Sequence, residues 1–340
     1  MVGRRGVGTV RAVARSRHNR GRLLVGRDLT VFLRMECLGA LARCGLADAL
    51  NQPGTAAELA GRAELTDVEL TGALLDLGVA HGLLRRRGER YRVRGARMQA
   101  VAGGRAPDVS GLAEEATAYD GPIYASVDRH LRGLPPQPYL SGLGDVIARA
   151  SRIAEPVVGP WLAAQGGARR SERVLDVGCG TGVNLRWLAG ALPAAELTGI
   201  DLEAEAVDAA QANVGTWGLG ERVQVRRADL RDEDETLAGP WDLIVLSQNI
   251  YYWPVGARAE LLAGLRRRLG PEGAVLVVTV VPTRAAIGRH LDLVLRVTSG
   301  SYRLPTIEEL RADAITAGFT QVRARDLVPG LGMAGMVASG

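Results

Sequence analysis

LDVGCGTG, residues 175–182, follows an apolar run typical of a buried strand and precedes a helical segment. Gly178, Gly180 and Gly182 permit a tight turn and let a ligand approach the backbone closely. In the dinucleotide-binding pattern G-x-G-x-x-G the third glycine would stand one residue later, where this chain has Val183. The loop therefore predicts a strand–turn–helix unit for a ligand other than a dinucleotide. A turn that only packs the helix against the strand is the alternative.

Acidic residues close three successive predicted strands around this loop. Asp176 lies just before it, where a carboxylate would repel a pyrophosphate but suit an ammonium group. Asp201, nineteen residues after Gly182, is placed to accept both hydroxyls of a ribose. Asp229 ends the next strand, where it can accept an adenine amino group. Three acids without a phosphate-binding lysine fit a cationic adenosine ligand.

Strands and helices alternate regularly from residue 173 onward. The runs RVLDVG, ELTGID, VQVRRAD, DLIVLSQN and AVLVVTVV alternate with helical segments, and TQVRARDL and AGMVASG follow a last helix. Thr306 and Glu309 predict a capping box at the start of that helix. This order predicts an α/β fold with a mostly parallel sheet and ligands at the carboxyl ends of the strands.

From residue 173 onward the chain resembles the class I S-adenosylmethionine (SAM)-dependent methyltransferases, through LDVGCGTG and Asp201. Past residue 28 it looks like the small-molecule O-methyltransferases with an N-terminal, mostly α winged-helix dimerization domain. The resemblance implies a Rossmann-like seven-stranded sheet, SAM as cofactor and S-adenosylhomocysteine as product. The cofactor-binding residues expected on these grounds are Asp176, Gly178, Cys179, Gly180, Gly182, Asp201, Leu202, Asp229, Leu230, Ser247 and Gln248.

Four segments are expected: a disordered Arg-rich tail (1–27), a winged-helix dimerization domain (28–105), a helical insert over the substrate pocket (106–168) and a SAM-binding catalytic domain (169–340). Residues 1–27 carry eight arginines and no acid. The remaining 34 basic and 37 acidic residues leave the body of the chain with a net charge of −3. The basic character therefore belongs to the tail, which is read as a solvated extension.

The N-terminal signals predict a winged helix-turn-helix over roughly 35–95. An apolar helix is expected at 28–50. Two capping boxes follow, Thr55 with Glu58 and Thr66 with Glu69, and then a hairpin that turns at Gly88. Segment 64–78 has four acids and no base, whereas a DNA-reading helix needs basic residues. A DNA-binding regulator is therefore disfavoured, and nucleic acid is not an expected partner. The resemblance implies a homodimer.

SQNIYYWP, residues 247–254, follows the fourth strand of the series. In the resembling O-methyltransferases a segment like LHDWPD stands there, and its histidine deprotonates the substrate hydroxyl. Trp253 and Pro254 match the Trp-Pro, which places Tyr251 at the histidine and Tyr252 at the aspartate. A tyrosine with a pKa near 10 is a poor general base. In-line SN2 transfer by positioning alone therefore favours N-, C-, carboxylate or acidic O-acceptors. The alternative places both tyrosines in packing roles.

Further candidates complete the expected site. His130 in the insert and His290 near Asp292 are alternative bases, with surface or core placement as the plain alternative for each. Asn249 resembles the strand-four asparagine of amine methyltransferases. The expected substrate-binding residues are Asn249, Tyr124, Tyr139, Trp161 and Trp253.

Composition excludes several other classes. Three cysteines without a CxxC pair favour a reduced, cytoplasmic protein. No apolar run approaches about 18 residues, so no membrane span is expected. No metal site is expected, because ligand spacings are missing. The expected function is methylation of a small, aromatic or heterocyclic metabolite. A SAM-binding enzyme that catalyses a non-methylating step is the alternative.

Overall fold

The computed structural model of the chain describes residues 17–138, 142–169, 171–231, 237–284 and 286–340. Its contacts form two compact units. The first takes the described residues up to Tyr124 together with Asp145–Ser151, and the second takes Ala125–Gly144 and Arg152–Gly340. Within the described ranges, no helix combines the length and the apolar composition needed to cross a membrane.

The first unit is helical apart from one hairpin. Its elements are α1 (Arg17–Arg43), α2 (Leu46–Ala49), α3 (Ala56–Arg62), α4 (Val68–Ala80), β1 (Leu84–Arg87), β2 (Arg90–Val93), α5 (Gly95–Val101) and α6 (Pro107–Glu115). The core is aliphatic, with Leu41, Leu59, Leu75 and Leu84 fully buried. β1 and β2 pair antiparallel around Gly88, as the sequence predicts. The capping box of Thr55 and Glu58 is also confirmed.

Two helix starts differ from the prediction. α1 begins at Arg17, so a disordered tail is wrong for residues 17–27, while residues 1–16 lie outside the described residues. The stretch 17–27 has no proline and is rich in arginine and leucine, which are good helix formers. α4 is capped by Asp67 rather than Thr66, because the Asp67 carboxylate accepts the Leu70 N–H at 2.9 Å.

The structure divides the insert expected at 106–168 between the two units. Its helices are α6, α7 (Gly121–Leu131), α8 (Gly144–Ser151) and α9 (Glu155–Gly167). α8 lies directly against α6, since a Cβ on Gly111 would stand only 2.6 Å from the Ala150 nitrogen. Arg149 also pairs with the largely buried Glu114 at 3.1 Å. These contacts assign α8 to the first unit, although the chain on either side of it belongs to the second.

The second unit contains the predicted seven-stranded sheet. Its strands are β3 (Arg173–Val177), β4 (Glu196–Asp201), β5 (Val223–Arg227), β6 (Trp241–Ser247), β7 (Leu269–Val280), β8 (Gln321–Val328) and β9 (Met333–Ser339). Their order is β5-β4-β3-β6-β7-β9-β8, with β9 antiparallel to both neighbours. The helices between them are α10 (Val183–Ala191), α11 (Ala204–Thr216), α12 (Arg258–Arg267), α13 (Ala286–Arg296) and α14 (Ile307–Thr316).

Each face of the sheet buries its own core. Along β3, Leu175 and Val177 belong to one core, and Val174 belongs to the other, as the two-residue period of a strand requires. Asp176 therefore points to the same face as Val174, beside Val245 on the neighbouring strand. β3 is central, so its carboxyl end opens between β4 and β6. That position brings the glycine loop and the strand-end acids to one edge.

Candidate functional site

The glycine loop is a chain of left-handed turns bound to β4. Gly178, Gly180 and Gly182 have φ values of 68°, 54° and 81°, a region that favours glycine. The N–H groups of Gly178 and Cys179 both donate to the Ile200 carbonyl, at 2.8 and 2.9 Å. Gly182 then caps the N-terminus of α10. The loop thus takes the predicted strand–turn–helix course, with its shape set by backbone geometry.

Asp201 fixes the tip of this loop. Its Oδ2 accepts the Gly180 N–H at 2.9 Å, and its Oδ1 accepts the Glu203 N–H at 3.1 Å. Each carboxylate oxygen retains a further lone pair. The residue expected to bind ribose hydroxyls therefore also holds the loop beneath such a ligand.

Asp176 is a buried carboxyl without a partner. Its side chain is 0% exposed, and neither oxygen has a hydrogen-bond partner among the described residues. Burial raises the pKa of Asp176 to about 8, and the nearby Asp201 charge adds to the rise. The nearby Asn184 side chain opposes the rise. Such a group costs free energy until a donor reaches it.

Asn249 presents a second unpartnered acceptor behind the loop. Its Nδ2 donates to the Val177 carbonyl, which orients the amide. Its Oδ1 is buried with no partner in the described part of the chain. A Cβ on Gly178 would stand 2.6 Å from Asn249 Nδ2, so residue 178 must be glycine for this contact to form. With both oxygens of Asp176, this region holds three buried oxygen atoms that have no hydrogen-bond partner among the described residues.

Asp229 has a partner that the sequence analysis missed. Arg231 holds its carboxylate with two nitrogens, at 2.5 Å from Nη2 and 2.9 Å from Nε. That hydrogen bonding lowers the pKa of Asp229. The same guanidinium lies 5.8 Å from the ring centroid of Trp253. An adenine amino group would therefore share Asp229 with Arg231. The sequence signal for this pair is the arginine two residues after Asp229 in RRADLR.

The tyrosine segment forms a tight turn at the end of β6. Gln248 has a left-handed φ of 58°, and its Nε2 donates to Met333 Sδ at 3.0 Å. Tyr251 and Tyr252 follow in a single 3₁₀ turn, with ring centroids 4.7 Å apart at 69°. Tyr251 is 8% exposed and packs with Leu295 and Leu304 in a small core cluster. The Tyr251 ring is therefore packed in a cluster and not solvated.

The remaining cofactor candidates differ in exposure. Cys179 and Leu230 are buried, whereas Leu202, beside Asp201, is half-exposed. Ser247 is half-buried at the last position of β6. Burial raises the pKa of the Cys179 thiol, so this cysteine remains protonated.

The other candidates lie at several places. His130 is on α7, with Nδ1 3.2 Å from the Leu134 carbonyl oxygen. His290 is half-buried on α13, beside Leu291, which packs against the Tyr251 cluster. Tyr124 is half-exposed in the first unit, and Tyr139 lies outside the described residues.

Trp161 packs against the sheet. A Cβ on Gly335 would stand 2.7 Å from its Cζ2, and Gly335 pairs with Val278, which itself pairs with Ser247. Trp161 therefore lies level with the end of β6. Across the described ranges no group of three His, Cys, Asp or Glu residues is arranged to hold a metal ion.

Comparison with known proteins finds similarity in part of the second unit. Residues 174–273 match a family model described as a methyltransferase domain. The chain is 37% identical over 109 residues to the release factor glutamine methyltransferase of Chlorobaculum tepidum, covering 31% of this chain and 36% of that protein. The chain spans less than half the length of the first curated relatives that it matches.

Solved structures match over nearly the whole chain. Human N-acetylserotonin methyltransferase in complex with SAM aligns with a TM-score of 0.75, at 17% identity, over 94% of this chain and 97% of that one. The mitomycin 7-O-methyltransferase aligns with a TM-score of 0.78, at 16% identity, over 95% and 99%. At these identities the alignments establish the fold, including the helical N-terminal unit.

The pKa of Asp176 predicts how stability depends on pH. Because the folded value of about 8 exceeds the ordinary 3.8, the folded state binds more protons between these values. The ligand-free protein should therefore lose stability as pH rises from about 4 to 8. Asp176→Asn removes this dependence, so its Tm should exceed that of the wild type by several degrees at pH 9 and by little at pH 5. Differential scanning fluorimetry measures both.

The exposed Asp208 on α11 supplies the control, since Asp208→Asn should leave the difference from wild type constant with pH. A gap between Asp176→Asn and wild type that does not grow with pH would contradict the shifted pKa.

Proposed function

We propose that the protein transfers the methyl group of SAM to a small molecule. The premise is that residues 174–273 match a methyltransferase domain, in a chain with the fold of the small-molecule O-methyltransferases. The observation that carries the proposal is the set of buried, unpartnered acceptors behind the glycine loop. An ammonium group has three N–H donors and a positive charge. It therefore complements Asp176 and Asn249 in number and in sign.

The other residues fit the rest of such a ligand. The left-handed glycines leave the loop backbone open to close approach, as the edge of a nucleoside requires. Asp201 has lone pairs left for ribose hydroxyls, and Asp229, with its Arg231 partner, is proposed to contact the adenine. When bound, SAM supplies a methyl group on a sulfonium, which is already a strong electrophile. The protein's task is then to hold the acceptor in line and to exclude water.

Tyrosine in place of a histidine base restricts the acceptor. A general base typically contributes about 10²–10⁴-fold to rate, and a buried tyrosine does not supply that at neutral pH. We propose that Tyr251 and Tyr252 orient a flat acceptor by contact and by hydrogen bonding. Acceptors that need little deprotonation fit best: amines, carboxylates, acidic phenols or enolisable carbons. His290, next to the Tyr251 cluster, is the alternative base.

The first unit supports a homodimer. Apolar side chains between residues 23 and 35 of α1 remain 42–68% exposed, including Leu24, Leu29 and Phe32. Exposed apolar area of this extent on one helix marks an interaction surface. We propose that a second copy of the chain covers it. The DNA-binding alternative stays disfavoured, because α4 carries acids on its exposed surface.

The first test is whether SAM binding releases a proton. At pH 6.5 Asp176 should be protonated in the free protein, because its pKa is about 8. An ammonium neighbour favours the carboxylate. Binding should therefore release roughly one proton, visible as different calorimetric enthalpies in phosphate and Tris buffers. Asp176→Asn should bind more weakly with no such difference, whereas Asp201→Asn should bind more weakly and keep it. Equal wild-type enthalpies in the two buffers would refute this assignment.

The second test uses a panel of aromatic amines, carboxylates, phenols and aliphatic alcohols. S-adenosylhomocysteine should form with at least one of the first three classes and not with the alcohols. Tyr251→Phe should raise the acceptor KM several-fold with SAM affinity unchanged, because only its hydroxyl is lost. Unchanged kinetics would remove Tyr251 from the site. Turnover of an acceptor without S-adenosylhomocysteine would favour a non-methylating step.

The third test measures mass in solution. Phe32→Glu together with Leu29→Glu should convert the protein to a monomer in size-exclusion chromatography with light scattering, since burying two charges at an apolar interface is costly. Ile315→Glu, at an exposed apolar residue of α14, is the matched control. A monomeric wild type at micromolar concentration would end the homodimer proposal.

A further inference from the structure

Arg258, the first residue of α12, is 0% exposed and stands among the largest fully buried side chains. Its Nη2 donates to the Arg303 carbonyl at 2.6 Å. Its Nε and Nη1 have no hydrogen-bond partner within the described residues. Burial, and then the neighbouring Arg303 charge, lowers the pKa of Arg258. A cation at a helix N-terminus also opposes the helix dipole. An apolar residue would avoid all of these costs.

The carbonyl that Arg258 holds belongs to a short backbone segment, residues 301–306, termed here the strap. Arg303 itself binds Glu309 with two nitrogens, at 2.6 and 2.8 Å. Leu304 N–H donates to Asp292 Oδ1 at 2.9 Å, and Thr306 starts α14 with a confirmed capping box. The strap is thus fixed by α12, α13 and α14. Arg258 is its only bond to α12 among the contacts of the described residues.

The strap in turn contacts Tyr251. Tyr302 N–H donates to the Tyr251 carbonyl oxygen at 2.8 Å. Leu304 is 1% exposed and packs with Leu295 against the Tyr251 side chain. One end of the strap therefore holds the backbone of Tyr251, and its middle forms one wall for the ring. Arg303 stands between Tyr302 and Leu304 in the chain, so a shift of its carbonyl would disturb both contacts.

We propose that Arg258 is a positioning residue, whose bond to the Arg303 carbonyl fixes the strap and through it the ring of Tyr251 at the end of β6. The buried guanidinium reaches this carbonyl, which a shorter apolar side chain would leave without this donor. The consequence for the acceptor rests on the proposed function. The positional effect on Tyr251 does not.

The test reads Tyr251 directly by ¹⁹F NMR of protein labelled with 3-fluorotyrosine. The chain has seven tyrosines, so the spectrum is small, and Tyr251→Phe assigns the resonance of interest. Arg258→Met keeps the side-chain length without its donors and should shift or broaden the Tyr251 signal beyond its linewidth. Arg258→Lys, which retains a donor, should restore part of the signal. Arg267→Met, at an exposed arginine of the same helix, should leave it unchanged.

An unchanged Tyr251 signal in folded Arg258→Met overturns the proposal. If that variant does not fold, Arg258→Gln is read in the same way. Where the acceptor panel yields a substrate, Arg258→Met should raise the acceptor KM several-fold with SAM affinity within about twofold of wild type. If the panel yields none, the proposed function fails while the NMR result still decides the role of Arg258.

Discussion

Two hydrogen bonds to one backbone carbonyl, that of Ile200, set the shape of the glycine loop at the carboxyl edge of the sheet. The Ile200 oxygen accepts the N–H groups of both Gly178 and Cys179, which turns the chain sharply at the end of β3. The Gly180 N–H then reaches the Asp201 carboxylate, one residue along β4. A side chain at position 178 would meet the Asn249 amide, so β6 constrains the same turn from the other side. Three adjacent strands therefore fix the loop before any ligand arrives.

Asp176, just before this turn, is buried at a cost in folding free energy. A buried carboxyl with no partner costs about 1–3 kcal/mol even when neutral, and more when ionised. Asp176 lies on the same sheet face as Val174, where β3 is otherwise apolar, and neither of its oxygens has a hydrogen-bond partner among the described residues to offset this cost. A ligand that brings donors to this point gains the same amount in affinity. The free protein is therefore less stable than its core would allow, and in the proposed function SAM would restore that stability by bringing donors to Asp176.

The sequence predicts the parts of this site that depend on local spacing. The seven strands, two of the three predicted capping boxes and the left-handed glycines follow from periodicity and residue type. The features that the sequence did not predict depend on competition between adjacent residues or on contacts between residues distant in sequence. Asp67 outcompetes Thr66 as a cap by one position, and α8 joins the first unit through Gly111 and its neighbours. No local pattern marks Arg258, because its partner lies 45 residues away.

In the proposed function, the tyrosine turn holds the acceptor in position and supplies no general base. Tyr251 is bound by its carbonyl to the strap, by its ring to Leu295 and Leu304, and by edge-to-face contact to Tyr252. A ring packed in this way, on a backbone that is also held, loses little entropy when an acceptor binds, so in the proposed function it would orient that acceptor at low cost. Orientation is what a reaction with a strong electrophile requires most. In the proposed function, the packing that fixes the Tyr251 ring is the property that would let it orient the acceptor.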